Sequence, residues 1–157
     1  MKGGAGDHPS SLSLHPIRIA VSGYYGCGNI GDEAVLAGIV ESFAIRSGTN
    51  SASFTVLSAN AADTGKRHGL AAIDRMKLPA VRRVLRESDL LISGGGSLLQ
   101  DTTSVRSLLY YLWVVRLARS CGTPVMFFAQ GIGPLRRKIS RALTRIVANR
   151  VRMITAV

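Results

Sequence analysis

The chain has 157 residues, enough for one domain with a real core, and 46% of them are hydrophobic, which excludes an intrinsically disordered chain. Lys and Arg number 20 against 9 Asp and Glu, for a formal net charge of +11. All the acids lie at or before Asp101, so residues 102–157 carry ten Lys and Arg and no acid; such a field favours anionic partners without choosing among phosphorylated small molecules, lipid headgroups and nucleic acid.

The longest apolar stretch, Leu108 to Val115, is too short to cross a bilayer and reads as part of a buried helix. Residues 1–16 are rich in Gly, Ser and His, lack the apolar core of a signal peptide, and read as a loose tail ahead of a domain over 17–157. Cys27 and Cys121 stand far apart and read as free thiols of a cytosolic protein.

Ile17 to Ser22 predicts a first buried strand. A glycine-rich loop, Gly23 to Gly31, follows it, and Asp32 reads as the cap of a helix with Glu33 in its first turn, ending at Ser47-Gly48. Gly26, Gly28 and Gly31 match G-x-G-x-x-G in letters, but two carboxylates at the helix start would repel a pyrophosphate. Ala52 to Leu57 reads as a second strand, Ser58 to Arg67 as a polar loop, and Leu70 to Ile73 as a short edge strand. Pro79 suits the first turn of a helix reaching about Ser88, with Val81, Val84 and Leu85 inward and Arg82, Arg83 and Arg86 outward. Asp89 to Ser93 is again a short apolar strand.

Gly94-Gly95-Gly96-Ser97 then breaks the strand and leads through two leucines to Gln100-Asp101. Consecutive glycines accept positive φ and let a ligand approach free backbone N–H groups, so this loop is a candidate site for an anionic or hydroxyl-rich ligand. A long helix from Ser104 to Ser120, a strand over Val125 to Phe128, and a third glycine loop, Ala129 to Pro134, come next. The last helix, Arg136 to Asn149, has a stripe of Leu135, Ile139, Leu143, Ile146 and Val147, and Val151 to Val157 begins another strand. Strands alternating with helices predict an α/β fold: an open, Rossmann-like parallel sheet with helices on both faces and the three glycine loops gathered at its carboxyl edge.

Four ordered blocks stand out: Gly23-Tyr24-Tyr25-Gly26 with Gly28-Asn29 and Gly31-Asp32-Glu33-Ala34; Ser88 to Asp101; Ser107 to Leu112; and Ala129 to Pro134. Together they resemble the polysaccharide pyruvyl transferase family, and its CsaB type in particular. The resemblance implies an enzyme that moves a pyruvyl group from phosphoenolpyruvate, its donor substrate, onto a sugar of a cell-surface glycan as a ketal. It implies no other cofactor, an acceptor that is a glycan or lipid-linked sugar, and a two-domain architecture similar to GT-B glycosyltransferases. Family members are about twice as long, so the chain reads as the N-terminal, acceptor-side half of a truncated or split enzyme whose second domain comes from elsewhere. The chain by itself is then expected to be inactive, with a cytoplasmic place and a peripheral one at the inner membrane face both open. Cys27 and Ala156-Val157 depart from the family pattern, where an aromatic and an Arg-Asp pair are usual.

The transfer needs a base for the sugar hydroxyl and an acid for the enolpyruvyl methylene. Asp32 and Glu33 are the catalytic candidates, with helix capping and dipole pairing as competing roles. Gly23, Tyr24, Tyr25, Gly28, Asn29 and Gly31 of the first loop, Gly94, Gly95, Gly96, Ser97, Gln100 and Asp101 of the second, and Gln130, Gly131 and Gly133 of the third are substrate-binding candidates. Tyr24 and Tyr25 suit stacking on a sugar ring, Asp101 suits sugar hydroxyls or a helix cap, and Arg106 suits an anion at the next helix start. His8 and His15 lie in the tail and His68 in a polar loop, with no metal-ligand spacing, so no metal site is expected. Two other classes stay open: a non-catalytic sugar- or nucleotide-binding module that needs a partner, and a nucleic-acid binder. The clear apolar stripe of the last basic helix and its lack of interleaved aromatics argue against the second of these.

Overall fold

The computed structural model describes residues 16–47, 52–102 and 104–155. The expected tail, the helix stop at Gly48 and the last two residues of the final expected strand lie outside them. Six strands and five helices alternate: β1 (Ile17–Ser22), α1 (Ile30–Ser47), β2 (Ala52–Ser58), α2 (Ala61–His68), β3 (Ala71–Asp74), α3 (Leu78–Glu87), β4 (Leu90–Gly94), α4 (Val105–Ser120), β5 (Val125–Phe128), α5 (Lys138–Ala148) and β6 (Met153–Ile154). All pairings are parallel, and the strand order is β3-β2-β1-β4-β5-β6. This is the doubly wound, Rossmann-like α/β arrangement that the alternation predicts.

Period-two alternation sends successive strand residues to opposite faces. Ile19 and Val21 of β1, Val56 of β2 and Ile92 of β4 pack against Leu36 and Ile39 of α1. Ala20, Leu57, Leu91, Val125 and Phe127 face the other way and meet α3, α4 and α5 through Val81, Leu85, Leu108, Leu112, Val115, Leu143 and Val147. Central strands buried on both sides need apolar residues at nearly every position, and each such side chain is worth about 1.5–3 kcal/mol when fully buried.

Three elements differ from expectation. The polar stretch after β2 is a helix: the Asn60 side chain accepts the Asp63 N–H at 3.2 Å, and left-handed Gly69 closes the far end. Its last turn carries Lys66, Arg67 and His68, which suit the negative end of the dipole. Helix α1 begins before Asp32; Asn29 caps it, its side chain accepting the Gly31 N–H at 3.0 Å and its carbonyl the Glu33 N–H at 3.1 Å. On α5 the expected stripe divides, with Leu143 and Val147 on the core but Ile139 74% and Ile146 51% exposed.

The neighbours β1 and β4 are where the winding reverses, since the chain moves one way from β1 to β2 and the other way from β4 to β5. Loops leaving two such strands diverge and open a crevice at the carboxyl edge of the sheet.

Candidate functional site

The first two glycine loops leave β1 and β4 at this reversal, and a cleft of about 660 Å³ lies between them. The first loop and α1 supply Tyr24, Asn29, Gly31, Asp32 and Val35 to its wall; the second supplies Gly96, Ser97, Leu98 and Gln100. Ser104, the cap of α4, and Ser107 and Tyr111 within it complete the wall. These three sit at helical spacing i, i+3 and i+7, so they share the face that the helix start turns toward the loop edge. Nothing in the four motif blocks singles out Ser104 or Tyr111 as cleft residues; the periodicity of the helix that follows the glycine loop is the signal that finds them.

Asp32 is the central side chain. It is only 6% exposed, it lies on the cleft wall, and among the described residues no hydrogen bond engages its carboxylate. Its Oδ1 comes up against the backbone of Gly95 and Gly96, whose φ angles are +90° and +61°. A Cβ at Gly96 would stand 2.9 Å from that oxygen, so the close approach requires glycine. Desolvation, and secondarily the nearby Glu33 carboxylate, raise the Asp32 pKa above the ordinary carboxylate value.

Glu33 does not share this role. Its Oε1 accepts the Gly26 N–H at 2.8 Å and its Oε2 lies 2.6 Å from His68 Nε2. Both side chains are about nine-tenths buried, and neither lines the cleft. His68, expected in a polar loop away from any site, ends α2 and fastens it to the start of α1.

Tyr25 is not free to stack on a sugar. It is fully buried, and its hydroxyl donates to the Gly94 carbonyl at 2.8 Å, tying the first loop to the second. Burial, with Asp32 next, pushes its pKa up. Gly23 is needed here because a Cβ would stand 2.5 Å from the Tyr25 ring and 2.6 Å from the Gly94 carbonyl oxygen. Tyr111 donates to the Gly23 carbonyl at 3.2 Å, so three elements brace one another beneath the cleft. Tyr24 does stand on the cleft wall, 40% exposed.

The third loop reaches the same sheet edge but not the cleft. The Gly131 N–H donates to the Gly96 carbonyl at 3.1 Å and the Gly133 N–H to the Leu99 carbonyl at 2.8 Å, so it extends the β4–β5 ladder behind the second loop. Ser97 Oγ would be 2.8 Å from a Cβ at Gly131, which explains that glycine by packing. Gln130 is fully buried; its Oε1 accepts from Ser93 Oγ at 3.2 Å and its Nε2 has no partner among the described residues. Asp101 turns toward α5 instead of a sugar: its carboxylate accepts the Arg136 and Arg137 N–H groups at 2.7 and 2.8 Å, and these bonds hold its pKa below the ordinary value. Ser104, not Asp101, caps α4, accepting the Ser107 N–H at 3.3 Å. Arg106 and Gly28 are exposed but off the cleft wall, and Gly94 and Gly95 are buried behind it. Among the described residues, no group of three or more His, Cys, Asp or Glu could hold a metal ion, and no helix is long and apolar enough to cross a membrane.

A doubly wound parallel sheet, with a buried carboxylate that has no hydrogen bond among the described residues in the crevice at its reversal, defines an open α/β domain of the class that binds ligands at that edge. The family model for polysaccharide pyruvyl transferase matches residues 29–156, and the chain belongs to that family. No curated protein matches the chain. Among solved structures, it is similar to the hypothetic protein SMU.573 from Streptococcus mutans at 13% identity and a TM-score of 0.47. The match covers 78% of this chain and 41% of that one, so the chain spans less than half of that structure's length.

Proposed function

We propose that the domain serves in the transfer of a pyruvyl group from phosphoenolpyruvate onto a hydroxylated sugar of a cell-surface glycan, forming a ketal. One observation carries the reading: Asp32 presents a buried carboxylate, without a hydrogen-bond partner among the described residues, to a cleft of about 660 Å³ between two glycine loops, roomy enough for a sugar. In this reading Asp32 takes the proton of the attacking hydroxyl, and its raised pKa makes it a stronger base than an ordinary aspartate. Tyr24, Asn29, Ser97 and Gln100 offer an aromatic face and polar groups on the wall for the acceptor.

The donor is held by a second α/β domain, contributed by a longer protein or a separate chain, and no resident cofactor takes part. Work on lipid-linked acceptors would place the enzyme in the cytoplasm beside the inner membrane face. The exposed Arg141, Arg145, Ile139 and Ile146 of α5 suit such a surface.

The test combines this chain with a separately expressed second domain of a family member. Acceptor-dependent phosphate release and the ketal methyl signal in the proton NMR spectrum of the glycan are the readouts. A general base is worth about 10²–10⁴ in rate, so Asp32→Asn should lower turnover at least 100-fold. Turnover retained within tenfold by that variant overturns the assignment.

A further inference from the structure

A cation stands beside the cleft that none of the sequence motifs includes. Arg75 follows β3, and its guanidinium lies 5.9 Å from the ring centroid of Tyr24 and 5.7 Å from that of Tyr110. Wherever burial is described, every other Lys and Arg of the chain is exposed; Arg75 is half-buried. Its backbone is fixed at both ends, the N–H donating to the Ser58 carbonyl at 2.9 Å and the carbonyl accepting from Tyr110 Oη at 3.3 Å.

What the guanidinium does not have is an acceptor. Among the described residues no hydrogen bond and no ion pair uses its side chain, whereas the exposed Arg18 and Arg67 are paired with Asp89 and Asp63. The neighbouring Asp74 is engaged elsewhere, its Oδ1 accepting the Met76 N–H at 2.8 Å. A guanidinium carries five N–H donors in a fixed fork suited to the oxygens of a phosphate or carboxylate. Withdrawing it partly from water costs free energy unless something restores those bonds. The two tyrosine faces stabilise the charge and orient the fork but leave its N–H edge unsatisfied.

We propose that Arg75 is an oxyanion subsite of this cleft, binding a phosphate or carboxylate group while Tyr24, which it flanks, contacts the attached sugar. The proposal rests on the reading of the cleft as the acceptor site and deepens it: the acceptor is an anionic sugar, phosphorylated or acidic, not a neutral one. The same fork would accept the oxygens of phosphoenolpyruvate, so the experiment separates acceptor from donor.

Binding is measured on the whole chain by ligand-observed NMR, with methyl glucoside, glucose 1-phosphate, phosphoenolpyruvate and inorganic phosphate as separate probes. Glucose 1-phosphate should bind at least about tenfold more tightly than methyl glucoside, as expected for one charge-assisted bidentate contact. Arg75→Gln should erase that difference, and Arg75→Lys should retain part of it. Dependence on Arg75 for phosphoenolpyruvate but not for glucose 1-phosphate overturns the acceptor assignment. Equal binding of the charged and neutral sugars, or an undiminished preference in Arg75→Gln, overturns the subsite. Should Arg75→Gln fail to fold, the Arg75 Nε–H resonance of the unaltered chain, assigned by its loss in Arg75→Lys, must shift on adding phosphate. No step requires turnover, so failure of the transferase reading shows in the activity assay alone.

Discussion

The Nε2 of His68 lies 2.6 Å from Oε2 of Glu33, joining the last residue of α2 to the first turn of α1 across a nine-tenths buried contact. Glu33 also receives the Gly26 N–H, so one carboxylate holds the first glycine loop, α1 and α2 together. Two adjacent acids at a helix start thereby divide their work. Glu33 is spent on architecture, and Asp32, one residue earlier, stands at the cleft with no hydrogen bond among the described residues.

Glu33→Ala should therefore act on stability. It strands the part-buried Gly26 N–H and the His68 ring, and an unsatisfied buried group costs at most about 1–3 kcal/mol. A drop in thermal midpoint of several degrees is expected, with much of it recovered in Glu33→Gln, which keeps an acceptor for Gly26. Loss of acceptor turnover in Glu33→Gln with an unchanged melting curve would return Glu33 to the chemistry.

Asp32→Asn should have the opposite profile. A carboxyl whose pKa is raised on folding is favoured protonated; its contribution to stability is complete below the ordinary carboxylate range and is lost as pH rises through the raised value. The asparagine variant, which cannot ionise, should match the wild type in acid and become more stable than it toward neutral pH. The gain is on the order of 1 kcal/mol, or roughly 2–4 °C for a chain of this size. Melting curves across pH 3 to 8 read the divergence directly, and parallel curves would mean that the Asp32 charge is already compensated.

Much of the fold was legible because its signals are local and redundant. Five of the expected strands, β1 to β5, appear within about one residue, since short apolar runs between turn residues have few alternatives in an alternating chain. Helix α2 was not legible through periodicity, because Thr64 is its one buried residue and Gly65 sits inside it. Its cap residues, Asn60 with Asp63 and then Gly69, were nonetheless present in the sequence. For the site, the motifs located the two loops and Asp32 but not which glycine-loop residues face the cleft. Tyr24 and Tyr25 are neighbours in sequence with opposite fates, one on the wall and one under it. Arg75 was illegible for a further reason: it reaches Tyr24 only through the adjacency of β3, β2 and β1, a relation between residues some fifty positions apart.

Tyr25→Phe tests the strut beneath the cleft. The ring stays, but the Gly94 carbonyl loses the hydroxyl that donates to it at 2.8 Å in a fully buried setting. A loss of about 1–2 kcal/mol is expected in denaturant titration, with the slope unchanged. If the variant instead retains full stability, water reaches the Gly94 carbonyl and the two loops are not tied in the manner described.

Asp101→Asn tests the link between the second loop and α5. The folded-state pKa of Asp101 is depressed by the Arg136 and Arg137 N–H bonds, so its contribution is present above the ordinary aspartate value and disappears as pH falls through the depressed one. The variant should be less stable than the wild type at pH 7, and the gap should close in strong acid. Its affinity for sugars should be unchanged, because Asp101 faces α5; a selective loss of sugar binding would place it in the site after all.

The two left-handed glycines of the second loop should respond differently to the same small change. At Gly95, φ is +90° and a new methyl would stand 3.3 Å from Val35 Cγ1, inside the contact between the loop and α1. Gly95→Ala should therefore lower stability, and Gly95→Val should do so severely, because a branched side chain adds crowding to the strain. At Gly96, φ is +61°, a conformation that alanine adopts at a cost of roughly 1–2 kcal/mol. The obstacle there is the terminal oxygen of a side chain, Asp32 Oδ1 at 2.9 Å, which yields by rotating away. Gly96→Ala should thus remain folded while moving the carboxylate proposed as the base, and its turnover should fall by at least tenfold more than its stability loss accounts for. Sugar titration, turnover with the added second domain and melting curves on both alanine variants provide the comparison. Equal losses of activity at the two positions would show that the loop acts as one packed unit, without a particular role for the contact between Gly96 and Asp32.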